Sequence, residues 1–405
     1  MRSRAYLAVA AVAEHARTPG SRGRPPAFIV KTPTRAGSAW TTLLAVAFAL
    51  CLAACGGAKK KPVVVQQANV VVPAAASKMI SGVEFSKSPN GRDRSVALMR
   101  EAVALDPKLW EAHYNLGVLL AQSGDLAEAE PSLERAAQLA PAAEEVATAL
   151  GQVRRRRGEY RKAADGLQVF IEQNPEAKEA RALYVIALRD SGQIDAAIAQ
   201  ARDALRRKAG DANALSELAL AELAKGERDT AELLVKEAIA SNKESAVAHR
   251  TAGLIALAKG DDAAAFQSFV KASHLDPKDT TARLNMGTVL LRAGVYAKAE
   301  EQFRAVLKTS SDDVDASIGL AAALRGQGDK DHLAKWNEAQ KLLEGVLARD
   351  PHNVGAQFNL AVLLADFLKK PAEAKPLFQR FLADAPSDHP ARAEAERQAK
   401  AIGTK

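Results

Sequence analysis

Residues 110–141 read WEAHYNLGVLLAQSGDLAEAEPSLERAAQLAP. Leu116, Gly117 and Leu120 form an apolar stripe at helical spacing, and Gly124-Asp125 breaks it. Glycine supplies the left-handed backbone that ends one helix, and the aspartate after it suits the start of the next. A second stripe runs through Leu126, Ala129, Leu133 and Ala136, and Pro141 stops it. The stretch therefore reads as two helices joined by a tight turn.

The same pattern recurs every 34 residues. Gly124, Gly158, Gly192, Gly226, Gly260, Gly294 and Gly328 form one ladder at that period. Ala129, Ala163, Ala197, Ala231, Ala265 and Ala299 form a second. Pro107, Pro141, Pro175 and Pro277 share a third register, and Gly117, Gly151, Gly253 and Gly287 a fourth, in whose slots Val185 and Ala219 also stand. Small residues at fixed places let paired helices approach closely, so a large side chain at Ala129 would force them apart.

This arrangement resembles the tetratricopeptide repeat (TPR) family, whose pattern is a small residue early in the first helix, Gly at the turn, Ala midway in the second helix and Pro at its end. The resemblance covers about Ser95 to Pro386 and implies an all-α solenoid, a right-handed superhelix of antiparallel helix pairs. Full units are expected from Trp110, Glu144, Lys178, Ala212, Ala246, Thr280, Val314 and Val354. The protein then divides into a leader (1–54), a tether (55–77), a degenerate first unit (78–109), the solenoid (110–386) and a capping helix with tail (387–405). In the degenerate unit Arg94 to Leu105 reads as a second helix, whereas Ser81 to Gly91 is too turn-rich for a firm first one. His113, Ala147, Arg181, Leu215 and His249 replace the family's bulky aromatic. The unit from Val314 carries about six extra residues near Lys330 to Lys335, ahead of Trp336, and the next unit has Lys369-Lys370-Pro371 in place of the turn glycine. Ala391 to Ala401 reads as a polar last helix, the lid a solenoid end needs.

Thr41 to Ala54 is an apolar run with Lys31 and Arg35 as its positive flank. It falls short of the roughly 20 apolar residues a membrane span needs and reads as a signal peptide. Its end, Leu52-Ala53-Ala54-Cys55, resembles the bacterial lipobox. That resemblance implies cleavage before Cys55 and a diacylglycerol on its thiol. Residues 1–29 do not fit a signal, and translation is expected to begin at Val30. Residues 1–54 hold seven basic residues and one acid, so the portion from Cys55 onward has only +2 of the overall +8. The basic balance belongs to targeting and does not argue for nucleic acid. Cys51 and Cys55 are the only cysteines, which leaves no thiol for a disulfide or metal in the mature protein. Lys59-Lys60-Lys61 beside the lipid suits either anionic headgroups or a solubilising spacer. Val63 to Val65 and Val70 to Val72 are β-prone.

No two of the seven histidines stand at metal-ligand spacing, and no phosphate loop, nucleophile elbow or HExxH is found. The repeats leave no room for a catalytic domain, so neither an enzyme, a cofactor nor a small-molecule substrate is expected. Arg154 to Arg157 end a helix, where cations suit the backbone dipole. The family resemblance implies that positions two, five, nine and twelve of each first helix line a groove. Those positions include Tyr114, Val118, Ile186, Leu220, Leu223, Arg250, Leu254, Leu257, Leu284, Leu291, Ile318 and Phe358. The set is mostly apolar. Asn115, Asn285 and Asn359 occupy the family's asparagine slot, but the lysines of a carboxylate clamp are absent. The expected role is a lipid-anchored scaffold for protein partners of a bacterial envelope machine, of the secretin, pilus, export or gliding-motility type. Its expected place is the periplasmic face of the outer membrane. The alternative is a holdase for unfolded envelope proteins.

Overall fold

The computed structural model describes residues 71–88, 90–328 and 333–403. Cys55, the signal segment, the three lysines and Val63 to Val65 lie outside the described residues. Among the described residues there are nineteen α-helices and no strand, and within each of two compact units consecutive helices pack on one another in sequence order. None of these helices is long and apolar enough to cross a membrane.

The helices fall into two compact units, one up to Pro141 and one from Ala142 onward. The first holds α1 (Pro73–Ser86), α2 (Arg92–Leu105), α3 (Trp110–Gln122) and α4 (Leu126–Leu139). Helix α1 corrects two expectations: it begins inside the expected tether and takes in Ser81 to Ser86 of the stretch read as turn-rich. Pro73 sits at its first turn, where a missing N–H costs nothing, and alanines follow. Gly82 is a close-approach residue here. A Cβ there would lie 2.9 Å from Met99 Cε, and its carbonyl accepts from Ser95 Oγ at 2.6 Å.

The second unit continues with α5 (Glu144–Arg156), α6 (Tyr160–Gln173), α7 (Lys178–Asp190), α8 (Ile194–Arg207), α9 (Ala212–Lys225) and α10 (Arg228–Ser241). It goes on through α11 (Ala246–Lys259), α12 (Asp262–Leu275), α13 (Thr280–Arg292), α14 (Tyr296–Thr309) and α15 (Val314–Gln327). The end is built from α16 (Leu333–Arg349), α17 (Val354–Val362), a π-helical turn (Leu363–Phe367), α18 (Pro371–Asp384) and α19 (Arg392–Gly403).

Six ladder glycines, Gly124 to Gly294, have φ between 73° and 100°. A side chain is strained there although space is open beside Gly158, Gly192, Gly226, Gly260 and Gly294. All six ladder alanines are fully buried. Gly253 and Gly287 admit the rings of Phe269 and Phe303, whose atoms stand 2.5 and 2.6 Å from where a Cβ would be.

The seventh rung departs. Gly328 has φ −71°, and a Cβ there would lie 2.1 Å from Trp336 Nε1. Its glycine serves close approach of an indole, not a left-handed turn. Part of the expected insertion is helix, since α16 starts at Leu333 and runs 17 residues against 14 for its counterparts. After α17, Lys369 takes the left-handed conformation at φ 58°, in place of the missing glycine.

Three of the residues that replace the family aromatic share a task with Gln357, which stands at the same helix position. His113 Nε2, Arg181 Nη2, His249 Nε2 and Gln357 Nε2 each bond the carbonyl six residues upstream, at 3.1, 2.7, 3.0 and 2.9 Å. These carbonyls belong to the turns between pairs. Asp106, Asp276 and Asp350 tighten the same turns by accepting the N–H two residues on.

Candidate interaction groove

In the second unit each first helix lies against the next: α5 on α7, α7 on α9, α9 on α11, α13 on α15 and α15 on α17. Second helices do not approach one another in this way, so the first helices form the inner, more crowded layer. The exception is α11 and α13, which stand further apart. Leu254 and Leu257 fill that interval, packed against Phe269, Met286 and Val289.

The structure divides the twelve expected groove residues. Tyr114, Val118, Ile186, Arg250, Leu291, Ile318 and Phe358 are buried. Phe358, for example, is held between Phe378 and Phe381, with ring centroids 6.2 and 5.2 Å away. Arg250 is paired with the carboxylate of Asp279, which also caps α13 through the Thr281 N–H at 2.9 Å. These seven build the fold and offer no free surface. Leu220, Leu223, Leu254, Leu257 and Leu284 are half-buried, on α9, α11 and α13. They are the part of the set that keeps apolar surface open.

Several charged side chains on these helices are paired. Arg189 meets Glu217 at 2.9 Å, Lys225 meets Asp195 at 2.8 Å, and Arg292 meets Asp262 at 3.2 Å. Lys259 bonds Glu232, whose carboxyl is held down to about 2 by hydrogen bonds from Lys236 and Lys259. An apolar strip of this kind suits an apolar segment of a partner.

The arginine run at the end of α5 is resolved into separate roles. Arg155 is buried and pairs with Asp190 at 2.5 Å, while Arg157 pairs with Glu159 at 2.8 Å. His113 is buried, and burial pushes its ring below the usual histidine range. No group of three or more His, Cys, Asp or Glu among the described residues could hold a metal ion. Arg325, buried at the twelfth position of α15, is not among the residues expected from the sequence. The register that places Arg155 and Arg189 at that position marks it too.

Comparison with known proteins agrees with this architecture. A family model described as tetratricopeptide repeat matches residues 90–144, 148–214, 216–280 and 284–331. A second model of the same description matches 334–398. No curated protein matches the sequence. Among solved structures, PilF of Pseudomonas aeruginosa is 18% identical over 55% of this protein and 98% of its own length, with a TM-score of 0.46. Yeast Tom70 is 13% identical over 82% of this protein and 96% of its own length, with a TM-score of 0.32. YrrB, described as a TPR protein with an unusual peptide-binding site, is 19% identical over 49% of this protein and 97% of its own length, with a TM-score of 0.39.

Proposed function

Because the protein belongs to the tetratricopeptide repeat family, we propose that it is a non-catalytic interaction scaffold whose leucine stripe grips an apolar segment of a protein partner. The observation that carries this reading is the run of five half-buried leucines across α9, α11 and α13. Stacked pairs share one core and leave the inner layer of first helices to a ligand. We further propose that Cys55 carries a diacylglycerol. The scaffold then works at a bacterial membrane, on the periplasmic face of the outer membrane, within an envelope machine. Support for the anchor is the apolar run ending in Leu52-Ala53-Ala54-Cys55.

The stripe is tested by photo-crosslinking in cells, which leaves the fold intact. A photoreactive residue at Leu254 is expected to trap one or two proteins in stoichiometric yield. One at Leu233, which is exposed on the second helix α10, is expected to trap none of them. Equal profiles from both positions overturn the stripe as the docking surface, and a broad smear at Leu254 supports a holdase instead. For the anchor, Cys55→Ser is expected to release the protein from the membrane fraction. A variant that stays fully membrane-bound removes the lipid from the reading.

A further inference from the structure

The eleventh residue of a first helix is a core position in much of the second unit: Leu188 in α7, Leu290 in α13 and Leu324 in α15 are buried there. Ala256 stands at the same place in α11 and Arg154 in α5. In α9 that residue is Glu222, at 5% exposure. The repeat architecture does not call for an acid here, and a buried carboxylate is costly unless it is paired and fully hydrogen-bonded. Glu222 is only half served. Arg202 Nη2 donates to its Oε1 at 3.0 Å, and Oε2 accepts no hydrogen bond among the described residues.

Glu222 lines a cavity of about 440 Å³, within the range of roughly 300–1,000 Å³ typical of ligand pockets. Asp195, Glu222 and Glu227 bring three carboxylates to it against the cations Arg202 and Lys225, an excess of one negative charge. Lys225 is taken up by Asp195 at 2.8 Å, and that bond holds the Asp195 carboxyl below its ordinary range. Arg202 is a light cover for Glu222. Its side chain is 60% exposed, and an ion pair with so exposed a cation holds weakly. Ile198 and Ala199 give the lining an apolar strip along which the stem of a long side chain can lie. The lining comes from the second helices α8 and α10 and the end of α9, and includes none of the five stripe leucines.

We propose that this cavity is a seat for a basic side chain, arginine or lysine, of a protein partner. The cation passes along Ile198 and Ala199 and meets the open Oε2 of Glu222, and Glu227 adds a second negative charge to the lining. Arg202 is the protein's own rival for the carboxylate. The seat gives the scaffold a docking point on its second helices. It rests on the scaffold reading only for its choice of a protein partner, and its chemistry is tested at Glu222, not at Leu254, so each fails separately.

The test uses the full-length protein and follows the Glu222 carboxylate carbon by NMR, assigned by its loss in Glu222→Gln. Butylguanidinium chloride is expected to shift that resonance saturably. Butylurea, its neutral counterpart, is not, and neither is sodium chloride at the same ionic strength. Binding is then measured for three capped peptides that differ at one central residue: arginine, lysine or citrulline. At least one basic peptide is expected to bind roughly tenfold more tightly than the citrulline peptide. Glu222→Gln and Glu222→Leu are both expected to erase that ratio with melting intact, the second because α7, α13 and α15 already carry leucine at this position. Arg202→Ala, which removes the rival cation, is expected to raise affinity for the basic peptide. No butylguanidinium shift, an equal shift with butylurea, or a ratio that survives Glu222→Leu overturns the proposal. A shift seen only in Arg202→Ala also overturns it, since Arg202 then fills the seat itself. Spermidine binding more tightly than either basic peptide overturns the choice of a protein partner.

Discussion

Gly260 and Gly328 occupy the same ladder and do different work. The turn at Gly260 has φ 81° and open space beside it, whereas Gly328 has φ −71° and an indole against it. The two regions around them differ in the same sense. From Ala246 to Thr309, backbone geometry closes each turn and phenylalanine rings fill the hollows made by Gly253 and Gly287. At the turn from α15 to α16, side chains do the closing. Trp336 Nε1 donates to the Arg325 carbonyl at 3.2 Å, and Gln327 and Lys335 converge on Glu300 at 2.7 and 3.1 Å. A strict period thus records a backbone requirement in one region and a packing requirement in the other.

The largest effects fall where a ring joins neighbouring helices. Phe303 lies against Gly287 of α13 and Gly319 of α15, 2.6 and 2.4 Å from where their Cβ atoms would be. Phe303→Ala is expected to cost about 3–5 kcal/mol. Trp336→Ala is expected to fall in the same range, roughly 3–5 kcal/mol, because the indole fills the Gly328 hollow and meets Phe367. Solenoid units unfold semi-independently, so amide hydrogen exchange resolved by helix is the measurement. Each loss should centre on its own pair. A Trp336→Ala loss much smaller than that of Phe303→Ala would show that the irregular end is loosely held.

An intermediate effect separates the two glycines. Gly260→Ala is expected to cost about 1–2 kcal/mol through left-handed strain, and Gly328→Ala about 1–3 kcal/mol through crowding. Two controls tell the causes apart. Asparagine visits the left-handed region and should be tolerated at position 260 better than alanine. Trp336→Leu should relieve the Gly328→Ala penalty and leave that of Gly260→Ala untouched. Relief of both, measured by urea melts of the double variants, would unite what the structure separates.

Legibility follows the same division. The first helices from Trp110 to Val314 begin where the 34-residue register puts them, because the glycine and proline signals are local in sequence, and α17 follows the insertion at Val354. Helix α1 is hidden in the sequence because Ser81-Gly82 looks like a turn when its packing partner, Met99, is out of view. The groove is only partly legible. Helical position says which residues face inward, but burial depends on the neighbour. Phe358 disappears between two phenylalanines, while Leu254 stays half open because α11 and α13 stand apart.

The smallest effect is a pH response of opposite sign in the two parts of the second unit. Burial, with Glu179 as a like-charged neighbour, pushes the Glu144 carboxyl up, although its Oε1 accepts the Ala180 N–H at 2.8 Å. Burial acts on Glu300 in the same direction, but hydrogen bonds from Arg304, Gln327 and Lys335 outweigh it and hold that carboxyl down. Linkage fixes the signs. The Glu144 contribution is present below the ordinary carboxylate range and is lost as pH rises through its raised value. The Glu300 contribution is present above the ordinary range and is lost as pH falls through its lowered value. Acidification from neutral pH should therefore tighten α5 and α7 while loosening α14, α15 and α16. Hydrogen exchange corrected for its intrinsic pH dependence reads this out. Glu144→Gln should flatten the first response and Glu300→Gln the second, each without altering the other. If both regions loosen together on acidification and neither variant changes that, the response belongs to the net charge of the whole protein and not to these two carboxyls.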